Sequence, residues 1–223
     1  RLLTSFDKML AASIHFPKPK VDANRTNVNS VVHLGVWSHS SPVPVVTRDS
    51  CSRKTGGVQS DCSVDAIDQF LCDVGCILVP PILAAMCMEL PAMYARLQRY
   101  NYVHANVCQL YSCSQYLETR VWLNFGGAFL CIAVKEGSSE VYHLDWNDDP
   151  DVFAWITVVG DGWTGRDFCL PQLNVHIPMN PGQILGALTR RLIHSGSEVE
   201  GGRRVVLTCF CHYGTLKKAD QWE

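Results

Sequence analysis

The spacing of apolar residues changes once along this chain, near Arg120, and that change divides it into two parts. Before it the apolar positions recur at helical intervals; after it they collect in short runs rich in Val, Ile, Phe and Trp. Residues 3–13, LTSFDKMLAAS, predict an amphipathic helix capped by Thr4 or Ser5. From Val64 to about Arg99 the spacing predicts further helices, broken at Pro80, Pro81 and Pro91, where the missing donor and the ring oppose continuation. Residues 16–62 hold four prolines and many Ser, Thr and Asn, and read as surface loops around one short strand at SVVHLGVW.

In the second part the runs are AFLCIAV, EVYHLDW, VFAWITVV, FCLPQLNVHI, QILGALT and RRVVLTCFCHY. Turn signals separate them at KEGSS, NDDPD, GDGWTG, MNPG and SGSEVEGG. Short strands at such spacing predict an antiparallel sandwich or barrel. Helices from the first part, packed on one face, make the class α+β. The expected organisation is one domain of 223 residues: a loop and helical part over 1–119, a β core over 120–213 and a tail over 214–223.

Composition narrows this picture only slightly. An apolar share of 47% and a charged share of 18% belong to a globular chain and exclude wholesale disorder and a coiled coil. The longest apolar stretch, CILVPPILAAMCMELPAMYA, carries Glu89 and three prolines, so no membrane span or signal peptide is expected. The 11 cysteines are odd in number and scattered, and Cys72 with Cys76 or Cys209 with Cys211 lacks a second pair at zinc-finger distance. Free, mostly buried thiols in a reducing compartment are expected. The net charge of −2 hides an asymmetry, because residues 1–60 hold 8 Lys/Arg against 3 Asp/Glu. A basic part of this kind is either a solvated surface or a phosphate contact.

The candidate chemistry gathers in HLDWNDD, residues 143–149. On a strand, His143 and Asp145 project from one face and could share a metal. They are two members of a 2-His-1-carboxylate triad, which leaves positions open on Fe(II). The third ligand must come from downstream, from His176 or His194. His194 precedes Arg204 by ten residues, and that pair could hold both a metal and the distal carboxylate of a dicarboxylic co-substrate; His176 has no such arginine. Counting by twos from Arg204 places Val206, Thr208, Phe210 and His212 on one face of the last strand, with Arg203 on the other.

HLD…LIHSGSEVEGGRRVVLTCF resembles the Fe(II)/2-oxoglutarate-dependent dioxygenases, whose core is a double-stranded β-helix of the jelly-roll or cupin kind. The resemblance covers residues 120–213 and implies His143, Asp145 and His194 as iron ligands, Arg204 on 2-oxoglutarate, and O2 as oxidant. Val206 departs from the pattern, since many relatives place Ser there to bond the same carboxylate. The end of the last strand is similar to the TET/JBP branch, which oxidises methylated nucleobases. That likeness implies Phe210 stacking on a flipped base, His212 bonding it, and Asp148 accepting from its exocyclic amine. GDGWTGRDFCLPQL also resembles a barrel segment of fungal members. The expected partner is DNA carrying 5-methylcytosine or N6-methyladenine, and the expected protein is a nuclear monomer off the membrane. The alternatives are an oxygenase of a protein side chain or small molecule, and a silent β-barrel that only binds.

Overall fold

The computed structural model describes residues 1–17, 30–38, 44–107, 114–137, 141–165 and 167–220. In chain order the elements are helix α1 (Leu2–Ala11), strands β1 (Val31–Trp37) and β2 (Val45–Val46), and helices α2 (Asp61–Glu89), α3 (Pro91–Val107) and α4 (Ser114–Thr119). Then follow β3 (Cys131–Glu136), β4 (Ala154–Asp161), β5 (Thr164–Gly165), β6 (Asp167–Leu170), β7 (Val175–Pro178), β8 (Ile184–Ala187), β9 (Ser195–Gly196), β10 (Val199–Glu200), β11 (Arg203–Phe210) and helix α5 (Tyr213–Asp220).

One antiparallel sheet runs in the order β2-β1-β3-β11-β4-β8, and a second in the order β7-β6-β9. The loop through His143 joins the second sheet beside β9 by pairing with His194. Followed along the chain, β3 lies in the large sheet, His143 in the small one, β4 in the large, β6 and β7 in the small, β8 in the large, β9 in the small and β11 in the large. This alternation winds the chain as a double-stranded β-helix with helices on the outside of the large sheet, so the class is α+β.

Side-chain alternation gives the large sheet two faces. Val32 and Leu34 of β1, Ile132 and Val134 of β3, and Val205, Leu207 and Cys209 of β11 point outward into the main core. There they meet Phe6 and Met9 of α1 and the α2 stripe Ile67, Phe70, Leu71, Val74, Leu78, Ile82 and Met86. Ile156 and Val158 of β4 point the other way, against Phe168 and Leu170 of the small sheet.

Three expectations require correction. Helix α2 passes through Pro80 and Pro81 without a break. Each internal proline costs ~3 kcal/mol or more. Both lie on the exposed side, where the carbonyls they leave unbonded can face water, while buried α2 side chains on either side anchor the helix to the sheet. Pro91 instead opens α3, where a missing N–H costs nothing. Helix α2 is also long and apolar enough to cross a membrane, by length and composition alone. Secondly, neither Thr4 nor Ser5 caps α1; the helix starts at Leu2, and Ser5 Oγ donates back to the carbonyls of Arg1 and Leu2. Thirdly, the expected tail is largely helical, because Leu216 is buried in the main core and Asp220 meets Arg96.

Candidate functional site

The candidate metal-binding constellation is built where the two sheets are joined. His143 and His194 exchange both backbone N–H···O bonds at 3.0 Å, which sets their rings side by side with centroids 4.3 Å apart. Asp145 is fixed by its N–H to the Thr189 carbonyl at 3.0 Å. Its Oδ1 lies 3.6 Å from His143 Nε2 and its Oδ2 lies 3.5 Å from His194 Nε2. One ligand-type atom from each of the three side chains falls within 4.8 Å of the others.

The imidazoles are oriented for this. Nδ1 of His143 meets the Val141 carbonyl at 2.8 Å, and Nδ1 of His194 meets the Leu192 carbonyl at 3.0 Å. A carbonyl only accepts, so each Nδ1 carries a proton, and the neutral form of each ring turns its Nε2 lone pair towards Asp145. Phe168 stacks on the His194 ring at 5.3 Å and 25°, holding its plane. His176 lies on the exposed strand β7, beside Cys169, and takes no part.

The route by which His143 and Asp145 come together differs from the expected strand. Among its described residues, 141–146, the run EVYHLDW pairs as a bridge at His143, and it then curls through the bonds Trp146 N–H to Leu144 O and Asp148 N–H to Asp145 O. The loop is secured from behind by Asp149, which is buried and receives the Arg96 fork at 2.8 and 2.9 Å. Asp220 bonds to the same guanidinium, and these two acids raise its pKa despite partial burial. The loop carrying two site ligands is thus tied to α3 and α5.

Towards one end of the barrel lies Arg204, 6% exposed and paired with Gly160 across the sheet. A Cβ at Gly160 would come within 2.0 Å of the Arg203 carbonyl, so only glycine lets β4 approach here. Val206 belongs to the inner cluster. Arg203 faces the other way, onto Glu136 and Asp7, as the strand phase requires. Beside Val206 the register sets Lys135, buried and on the same inner face as Cys131 and Ala133. The sequence reading missed this lysine, although alternation along CIAVKE could have shown it.

At the other end, Asp148 pairs with His212 across an antiparallel bridge, and both are buried. Thr189 Oγ1 donates to Asp148 Oδ2 at 2.9 Å. Gly214 N–H donates to His212 Nδ1 at 3.1 Å, which makes that nitrogen an acceptor and leaves the ring proton of the neutral form on Nε2. Phe210 packs with Cys131 and Ala154, and the His33 ring stands perpendicular to it at 6.3 Å and 88°. His33 in turn lies 5.1 Å from Trp37. The phase of VVHLGVW, with His33, Gly35 and Trp37 on one side and Val32, Leu34 and Val36 on the other, carried this signal unread. Burial pushes the Cys131 thiol well above its usual pKa and keeps it unreactive.

Fold and site together are a double-stranded β-helix with a His-Asp-His cluster that could hold a metal ion where its two sheets meet. No protein-family model matches the sequence, and no curated protein does. Among solved structures, the chain is similar to NgTET1 in complex with 5mC DNA, at 15% identity and a TM-score of 0.47, over 96% of this chain and 69% of that one. It is also similar to the viral collagen prolyl hydroxylase vCPH from Paramecium Bursaria Chlorella virus-1 in its 2OG complex, at 21% identity and a TM-score of 0.27, over 43% of this chain and 69% of that one.

Proposed function

We propose that this protein is an Fe(II)/2-oxoglutarate-dependent dioxygenase that oxidises the methyl group of a methylated base in DNA, 5-methylcytosine or N6-methyladenine. The observation that carries the substrate assignment is the bridge that sets Asp148 against His212 beside Phe210, on the barrel face shared with Arg204. An acceptor, a ring N–H donor and an aromatic face together match a flipped base with an exocyclic amine.

The residues fit the groups this chemistry needs. His143, Asp145 and His194 would hold iron, because each imidazole bonds a carbonyl through Nδ1 and in its neutral form turns the Nε2 lone pair to the carboxylate. Arg204 would meet the distal carboxylate of 2-oxoglutarate, and Lys135 adds a second cation on the same face, next to the Val206 that lacks a hydroxyl. When bound, iron with 2-oxoglutarate and O2 supplies the oxidising power for C–H hydroxylation.

The chain's own work is to bind and orient. Thr189 holds the Asp148 carboxylate so that it can accept from the amine. The Nε2–H of His212 donates to a ring nitrogen or carbonyl, and Phe210 stacks on the base and excludes water from it.

The test is to incubate the protein with Fe(II), 2-oxoglutarate, ascorbate and methylated oligonucleotides and to examine the nucleosides by mass spectrometry. Hydroxymethyl or demethylated products are expected. Phe210→Ala should weaken capture of the methylated oligonucleotide by about 1–3 kcal/mol while metal binding is retained. If 2-oxoglutarate were consumed but every methylated base survived, and peptides or small molecules were hydroxylated instead, the base assignment would be wrong.

A further inference from the structure

The loop that carries the metal ligands also exposes two large aromatic side chains. Trp146 is 69% exposed and Tyr142 is 54% exposed. Trp146 follows Asp145 of the candidate metal cluster and precedes the buried Asp148 by two residues, and its own side chain lies in solvent. A tryptophan left in water forgoes the burial its size offers, and such residues concentrate where a partner docks.

A second observation lies beside the first. Tyr213 N–H donates to the Asn147 carbonyl at 2.8 Å, which places the start of α5 next to the Trp146 turn. The Arg190 guanidinium sits 4.7 Å from the Tyr213 ring centroid, and the Lys217 ammonium sits 5.7 Å from it. Arg190 also donates to the Asp148 carbonyl at 2.9 Å. The neighbouring acids are matched elsewhere: Asp151 by Arg191, and Asp149 and Asp220 by Arg96. Among the described residues no carboxylate lies within ion-pair distance of Arg190 or Lys217. Two cations beside one aromatic ring thus lie where the start of α5 meets the turn that carries the exposed Trp146, next to the Asp148–His212 pair.

We infer that this rim, Trp146 with Arg190, Lys217 and Tyr213, is the seat of the nucleic-acid strand flanking the flipped nucleotide. Trp146 stacks on a neighbouring base, and Arg190 and Lys217 meet phosphates. The inference rests on the reading of the pocket as a base pocket. It adds which surface grips the strand, in a chain whose net charge of −2 gives no hint of one. A flipped base leaves its neighbour without a stacking partner, and an indole beside the pocket mouth can replace it. Because Trp146 touches a neighbour and not the target, its contribution is independent of methylation.

Fluorescence anisotropy of labelled oligonucleotides, methylated and unmethylated, tests this on the full chain. Trp146→Ala should weaken both by about tenfold. Lys217→Gln should weaken both and lower the slope of log affinity against log salt by about one. Both positions are exposed, so unchanged melting temperatures will show that the fold is kept. If the parent oxidises methylated DNA while both variants bind it like the parent, the rim assignment is overturned and the pocket reading stands. If the parent neither binds nor oxidises methylated DNA and instead hydroxylates a peptide, the pocket reading fails and takes the rim assignment with it.

Discussion

The two faces of β11 have opposite chemistry within eight residues. Outward, Val205, Leu207 and Cys209 are fully buried against helices and carry no charge. Inward, the chain presents Arg204, Thr208 and, just beyond the strand, His212, interleaved with Val206 and Phe210. Both faces are largely inaccessible, so burial alone does not separate them. The outer face gains free energy from apolar contact, whereas the inner face holds a guanidinium and an imidazole out of water at a cost. Buried polar groups in such a place need hydrogen-bond or charge partners there, as His212 has in the Gly214 N–H. The difference therefore separates the part of the molecule that makes the fold from the part that makes the site.

The largest break in that comparison comes from removing a metal ligand. His194→Ala or Asp145→Ala should abolish turnover and metal uptake, followed by titration with Fe(II) under anaerobic conditions, while the melting temperature falls little. His176→Ala should bind metal like the parent. Retained uptake in His194→Ala with loss in His176→Ala would reverse the assignment.

On the outer face the expectation is the opposite. Leu207→Ala removes a fully buried side chain packed against helices and should cost about 2–5 kcal/mol of stability. Chemical denaturation will read it, and the fraction that remains folded should still take up metal. Loss of metal binding without loss of stability would show that the two faces are not separable.

How much of this was legible in the sequence follows the same division. Period-two alternation read from Arg204 put Val206, Thr208 and Phe210 on its face, as the register of β11 has them, because a regular strand obeys it and both faces of β11 are filled; His212 lies beyond the strand, at the bridge to Asp148. His194 was separable from His176 by its spacing to Arg204. The loop of HLDWNDD was not legible as a loop, since its conformation depends on long-range partners: Thr189, His194, Cys211 and Arg96. Nor was the passage of α2 through Pro80 and Pro81, where tertiary packing overrides local preference. His33, Trp37 and Lys135 follow the alternation of VVHLGVW and CIAVKE, but alternation alone does not say which face of a strand in a two-sheet fold is the inner one.

The inner face can be probed at its charged end. Arg204→Met should raise the 2-oxoglutarate concentration needed for half-saturation by an order of magnitude or more, equivalent to about 1.5–3 kcal/mol for a charge-assisted bond. Lys135→Met should act in the same direction and by less, about 1 kcal/mol. Calorimetry with 2-oxoglutarate and the metal-loaded protein measures both without relying on turnover. If Lys135→Met left the affinity unchanged, the second cation would serve the sheet and not the co-substrate.

The smallest expected effect is the sharpest control, because it concerns the neighbour of Arg204 in the chain. Arg203 bonds Glu136 at 2.6 Å and Asp7 at 2.6 Å, and its guanidinium lies 5.7 Å from the Phe6 ring centroid. These contacts raise its pKa, hydrogen bonding to Glu136 and then to Asp7 being the leading causes. Its partners and its own head group remain open to water, where such pairs are screened and worth about 0–1 kcal/mol. Arg203→Gln should therefore lower stability by no more than about 1 kcal/mol and leave 2-oxoglutarate affinity where it was. Raising the salt concentration should shrink even that difference, since exposed charges are screened while the buried Arg204 is screened much less. Two arginines one peptide bond apart would then differ by an order of magnitude in co-substrate affinity. Equal effects from both would mean that the strand does not hold its phase in solution, and Phe210 and His212 would lose their inward placement with it.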